Sequence, residues 1–265
     1  MAARSRLPSH DSRDMLFIRP TNPVSHRLAR LAFLLACVGA LTVGIAGPLH
    51  RYFGVDADIA ISVFRYGFYV AAAAIALALA TVVPTRPGER RRGFVAAALA
   101  LVIGVVASWA PITWLLHARE APRITDVTTD TANPPPLVVT LQFRQDASNP
   151  PAYGGESVAS LQKASYPDIQ PIVLKVAPAE AFKKVDQVAM SLGWDVVGRA
   201  PAEGRLEAID TSTWFGFHDD IVVRIKADGA GSRIDIRSKS RVGRTDLGVN
   251  AQRIREFAQK LKADR

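Results

Sequence analysis

Cysteine is almost missing from this chain: Cys37 is the single one in 265 residues. That excludes a disulfide framework and every multi-cysteine metal or redox motif. Histidine is nearly as scarce, with five in all, and beyond residue 116 the chain has only His117 and His218. Consecutive residues on a strand point to opposite faces, so His218-Asp219-Asp220 is a poor metal site, and no metal or cofactor is expected. The sequence has no G-x-S-x-G elbow, H-E-x-x-H pair, Walker loop or G-x-G-x-x-G at a strand-helix junction. A Ser-His-Asp triad would have to use His218, and no serine sits at a recognisable strained turn. A disordered chain is excluded as well, because 49% of the residues are hydrophobic.

Charge is absent from three long stretches. Residues 31–49, 66–83 and 93–116 contain no Asp, Glu, Lys, Arg or His. Each is close to the roughly 20 apolar residues that cross a ~30 Å hydrocarbon core. Three in succession, joined by short charged loops, read as membrane spans rather than as buried helices of a soluble protein. A cleaved signal peptide is not expected, because a polar stretch precedes the first run, no A-x-A site follows it, and two more runs come after. Charged groups inside spans usually mark transport paths, and their absence points to an anchor.

Arginine sets the expected orientation. Arg4, Arg6, Arg13, Arg19, Arg27 and Arg30 precede the first run, and Arg86, Arg90, Arg91 and Arg92 lie between the second and third. The intervening loop has Arg51 and Arg65 beside Asp56 and Asp58. The positive-inside rule then places the N-terminus in the cytoplasm and everything after residue 116 across the membrane. Residues 1–116 carry 12 of the 33 basic and 5 of the 24 acidic groups, so +7 of the net +9 lies there. The basic balance is thus a topology signal and an attraction to anionic headgroups, not a nucleic-acid footprint. Small residues every fourth position (Ala36, Ala40, Gly44; Ala72, Ala76, Ala80; Ala96, Ala100, Gly104, Ser108) mark candidate helix-packing stripes.

The expected organisation is a cytoplasmic basic tail over 1–30, a three-helix transmembrane region over 31–116, a Pro-rich linker over 117–155 and a soluble domain over 156–265. The linker is broken by six prolines from Pro122 to Pro151 and reads as a tether, with one short strand possible at 137–141. The domain pattern is α+β, in the order β-α-β-β-β-β-α. Strands are predicted near 169–176, 194–197, 205–211, 221–226 and 233–237, the last two as a hairpin about Asp228-Gly229. A short helix is placed at 156–164 and longer ones at 178–192 and 247–261, the last capped by Asp246. This gives an antiparallel sheet covered on one face by two helices. Ile221, Val223, Ile225, Ile234 and Ile236 form the apolar face. Glu207, Arg224, Arg233, Asp235 and Arg237 form a charged face, read as solvated cross-strand pairs.

The motifs Tyr166-Pro167-Asp168-Ile169-Gln170-Pro171, Gly193-Trp194, Trp214-Phe215-Gly216-Phe217 with Asp219-Asp220, and 238–250 with Arg253-Ile254 resemble the bacterial domain-of-unknown-function 1499 family. The resemblance runs from about Glu156 to Ala263, and the 238–250 motif is the most specific. It implies architecture and confers no activity. Members often carry a cysteine in the segment leading into the domain; this chain has none there, which excludes a thiol-based role.

Two surfaces are candidate sites. Arg237, Arg241 and Arg244 precede a helix N-terminus near Asn250, where backbone N–H groups and guanidinium groups would hold a phosphate or carboxylate. The plainer reading is a structural loop in which Asp246 caps the helix and arginines pair with Asp219, Asp220 or Asp235. The rings of 214–217 would line an apolar pocket or dip into the headgroup region, or, in the plainer reading, fill the core around a tight turn. The candidate ligand-binding residues are therefore Arg237, Arg241, Arg244, Asn250, Trp214 and Asp220. The leading expectation is a non-enzymatic module in the inner membrane, its domain periplasmic or extracytoplasmic, binding a protein, lipid or anionic envelope ligand. The alternative is a small envelope hydrolase or transferase using Arg241, Arg244 and Asp220. A third reading makes the domain a structural cap on the membrane helices.

Overall fold

The computed structural model describes residues 23–85 and 92–263. Three helices open this chain: α1 (Pro23–Phe53), α2 (Ala57–Val82) and α3 (Arg92–Glu120). All three are long and apolar enough to cross a membrane. The expected arginines of the N-terminal tail through Arg19, and of the loop over 86–91, lie outside the described residues. α1 starts at Pro23, whose fixed φ suits a first helical position. Asp56 starts α2, its carboxylate accepting from the Asp58 and Ile59 N–H groups at 2.8 and 3.3 Å.

The chain forms two compact units. The first holds the described parts of Met1–Ala40 and Tyr69–Val106. Its core is a seam of alanines, Ala32, Ala36, Ala74, Ala78 and Ala100, all fully buried. Close approach here requires a missing side chain: a Cβ on Gly39 would sit 2.7 Å from the Ala71 backbone nitrogen. The expected stripe holds for Ala36, Ala100, Gly104 and Ser108, which are buried, but not for Gly44, Ala76 and Ala80, which are exposed. In α2 the seam is instead Ala71, Ala74 and Ala78. A strict four-residue repeat drifts off a face of 3.6-residue period, and spacings alternating between three and four correct it.

The second unit holds Leu41–Phe68 and Ala107–Arg265. It contains β1 (Asp126–Thr128), α4 (Glu156–Ser165), β2 (Ile172–Leu174), α5 (Pro178–Ser191), β3 (Asp195–Ala200), β4 (Arg205–Thr211), β5 (His218–Asp228), β6 (Gly231–Ser240) and α6 (Val249–Ala263). The six-stranded sheet has the order β1-β6-β5-β4-β3, with β2 also on β6, and every pairing is antiparallel. The α+β architecture and the two helices on one face are as the alternation implies. Val185, Val188 and Ala189 of α5 and Ile254, Phe257 and Leu261 of α6 pack on Ile221, Val223, Ile234 and Ile236. Trp194 stacks on Phe257 at 5.5 Å inside this layer.

Two expectations fail together. The charged sheet face is mostly not solvated: Glu207 is fully buried and Asp235 is 1% exposed, and of the five only Arg233 keeps a substantially open side chain. The 117–155 stretch is not a tether: its first residues end α3, Asp126–Thr128 adds β1 to the sheet, and the rest lies as a strap over the charged face. One cause explains both. Proline donates no N–H and breaks regular structure, yet its carbonyl still accepts. Arg237 of the charged face donates to the Pro135 and Pro151 carbonyls at 3.2 and 2.9 Å. The prolines shape an irregular cover whose carbonyl groups find their partners in the sheet's cations. The free edge of β1 is also closed, since the Gln162 amide donates to Thr128 O at 2.7 Å and accepts from Thr128 N at 2.9 Å.

Candidate functional site

Beneath the strap, strand register sets the sheet's charged residues side by side in rows, and several of their ion pairs run to neighbours outside those rows. Val222 sits opposite Glu207 and Arg237, and Asp220 opposite Ile209 and Lys239. Arg237 forms a two-pronged pair with Asp126, at 2.9 and 2.8 Å, and Lys239 reaches the same carboxylate at 2.8 Å. Burial pushes the Lys239 ammonium below its ordinary range, an effect that Asp126 opposes. Tyr153 lies 5.7 Å from the Arg237 guanidinium, and burial, helped by Asp126, pushes its phenol up to about 12.

Asp220 is fully buried and takes Arg241 on one side, through Nε at 3.0 Å and Nη2 at 2.7 Å, and Arg144 of the strap on the other. Glu207 accepts the N–H groups of Val138, Val139 and Thr140, at 3.0, 3.0 and 2.9 Å, and the Thr140 hydroxyl at 2.9 Å. Burial alone would raise the Glu207 pKa, but those four donors outweigh it and hold the carboxyl below its usual range. Arg224 bridges Asp235 and Asp130 at 2.8 and 2.9 Å.

The 238–250 segment is equally occupied. Asn250 Oδ1 accepts from Ser238 at 2.6 Å and Arg253 at 2.8 Å, while its Nδ2 donates to Ser240 Oγ at 3.0 Å. Arg253 is held by Asp210 at 2.5 Å and Asp219 at 2.8 Å. Asp246 accepts from Gly248 N at 2.9 Å and Asn250 N at 3.1 Å, so the helix-start N–H groups that an anion needs already have a carboxylate. Burial raises the Asp246 pKa against those two bonds. The plainer reading of this loop therefore holds. Tyr166 and Asp168 of the Tyr-Pro-Asp motif also serve the fold: Asp168 grips Arg255 at 2.6 and 2.8 Å, and the Tyr166 ring lies 5.3 Å from that guanidinium.

The aromatic loop has a third fate, neither sheet core nor free membrane probe. It seats on the helix ends of its own unit. Phe64 of α2 meets Trp214 and Phe215 edge-on at 5.6 and 5.7 Å, and His50 of α1 lies 5.1 Å from Phe217. Arg51 donates to the carbonyls of Ser212 and Thr213. A Cβ on Gly47 would lie 2.5 Å from Trp214 Cδ1, so the indole uses the space that glycine leaves. Gly216 turns the loop at a φ of +73°, a conformation glycine adopts without cost.

The six candidates are thus not one site. Arg237 and Arg241 with Asp220 lie under the strap, Asn250 is buried in the first turn of α6, and Trp214 sits on the helices. Arg244 is exposed and makes no ion pair among the described residues. The residues sequence reasoning missed are Asp126, Arg144 and Asp130, acidic and basic groups inside a stretch read as linker. Their signal was the recurrence of charge and of short apolar runs between the prolines.

One open cleft remains beside the docked loop, about 460 Å³ in volume. Thr211 and His218, the residues flanking the loop, line the cleft together with Arg241. Thr211 Oγ1 and His218 Nδ1 are 2.9 Å apart. Burial, with help from Arg241, lowers the His218 pKa and favours the neutral ring.

Comparison with known proteins fits this geometry. No curated protein matches the chain. The model of the family described as "Protein of unknown function (DUF1499)" matches residues 126–261, from the first residue of β1 to the last buried residue of α6. The match starts at Asp126 rather than at Glu156 because the strap belongs to the domain. The chain is a member of the DUF1499 family carrying three helices able to span a membrane ahead of its sheet domain.

Proposed function

We propose that this protein is a membrane-anchored envelope module without catalytic activity, multi-pass in the inner membrane, with its N-terminus cytoplasmic and its sheet domain held at the outer surface of the bilayer. The observation that carries the reading is the seating of Trp214 and Phe215 against Phe64, Gly47 and the Arg51 side chain. A tethered enzyme reaching for substrate gains nothing from such a seat; a module that works at the membrane surface is positioned by it. Tyr52, Phe53 and Trp114, at the same helix ends, are exposed, as expected of an interfacial aromatic belt. The groups a hydrolase or transferase would use, Arg241 and Asp220, neutralise each other under the strap, which favours binding over catalysis. The Asp246 carboxylate, by occupying the N–H groups at the start of α6, moves the expected ligand seat away from that helix end.

Paired fusions after Arg265 test the topology. Alkaline phosphatase is expected to be active there and green fluorescent protein dark; the reverse pattern overturns the reading. The purified full-length protein is expected to leave aryl phosphate and carboxyl esters unhydrolysed, and enzyme-dependent turnover would restore the catalytic alternative.

A further inference from the structure

We infer that the cleft beside the docked loop binds the headgroup of a phospholipid bearing a primary ammonium, with Asp146 and Asp195 taking the ammonium and Arg241 and His218 the phosphate. The inference rests on the proposed placement at the bilayer surface and adds a ligand to it.

Position comes first. Thr211 and His218 belong both to the cleft lining and to the chain entering and leaving the 212–217 loop. That loop is fixed to α1 by Arg51 and by the ring contact between His50 and Phe217. The cleft therefore opens next to the helix ends, at the depth where headgroups lie in a bilayer crossed by those helices.

Charge comes second. Asp146 and Asp195 line the cleft, are exposed, and form no ion pair among the described residues. Asp220 behind the cleft is shared by Arg241 and Arg144, so that triad carries one positive charge against the two carboxylates of Asp146 and Asp195. The lining thus has carboxylate in surplus, which suits a cation. A primary ammonium donates three hydrogen bonds and a trimethylammonium donates none, so two carboxylates and the Gln142 and Gln145 amides discriminate between them.

The phosphate has its own donors. Asp220 engages Arg241 through Nε and Nη2, which leaves Nη1 for the cleft. When Thr211 donates to His218 Nδ1, the ring proton sits on Nε2 and points a second donor outward. Phe143, Val197 and Ile209 supply an apolar wall for the glycerol and the first acyl carbons.

The test uses the full-length protein in phosphatidylcholine nanodiscs and titrates it with glycerophosphoethanolamine, glycerophosphocholine and putrescine by calorimetry. Glycerophosphoethanolamine is expected to bind at least tenfold tighter than the other two. D146N with D195N, both exposed and outside every ion pair, should keep the melting temperature and lose at least tenfold in affinity. Native mass spectrometry from mixed nanodiscs should show retained phosphatidylethanolamine on the wild type and less on the double variant. Equal binding of the choline compound, equal binding of putrescine, or an unaffected double variant overturns the headgroup assignment. A cytosolic C-terminus in the fusions overturns the topology itself, so the two failures are distinguishable.

Discussion

Glu207 has no water to turn to. Its two oxygens serve three backbone N–H groups, the Thr140 hydroxyl and the Arg205 guanidinium. Glu207→Gln puts an NH2 against donors and leaves Arg205 with Glu203 alone. Each unmet buried group costs about 1–3 kcal/mol, so a loss of about 2–4 kcal/mol is expected in chemical denaturation. The pH dependence has a definite sign. With the folded pKa held below the ordinary 4.5, this stabilisation is present above that value and fades as pH falls through the lower folded one. Melts of wild type and E207Q should converge under acid and separate above about pH 5. Residue chemistry was the least legible part of the sequence. Alternation placed Arg224, Asp235 and Arg237 on one face, but nothing local to the strands says whether water or protein covers that face. The cover comes from a stretch about a hundred residues upstream, whose partners are chosen by tertiary contact.

The only regular turn in the strap is a short 3-10 helix, Thr140–Phe143, where the sequence allowed a strand at 137–141, so the segment read as a linker. Proline density and turn residues report that a segment is neither helix nor strand and say nothing about burial. The regular elements were legible because their signals are local. α5 starts at Pro178 and ends before Gly193 as its spacing predicts, and β4 matches its expected bounds of Arg205–Thr211. β6 runs to Ser240, beyond the predicted residue 237, since pairing with β1 extends it. A fragment beginning at Glu156 would leave Asp220, Glu207 and Arg237 without their strap partners and β6 without β1. It is expected to be insoluble or molten, with weak near-ultraviolet circular dichroism, whereas one beginning at Pro122 should melt cooperatively.

At the scale of the molecule, the aromatic loop and the helix ends behave as one packed body within the second unit. The loop could not be assigned from sequence, because the rings of Trp214, Phe215, Phe217 and His218 around a glycine fit a core, a pocket or a membrane probe equally well. What decided it was the vacancy at Gly47, a position with no signature apart from its partner. Gly47→Leu or Trp214→Ala should release the loop without unfolding the sheet. Hydrogen exchange across 211–218 is expected to rise about tenfold, while amides of Ile221 to Ile225 and of Ile234 to Ile236 keep their protection.

The pairing of the first strand with the last also imposes a schedule on biosynthesis. Asp126 and its partner Lys239 are 113 residues apart in the chain. The ribosome therefore finishes Asp126, Arg144 and the proline carbonyls long before it makes the groups that neutralise them. Until β6 emerges, this early segment is a solvated, protease-sensitive coil, and a stalled nascent chain shorter than about 240 residues has no closed sheet to protect it.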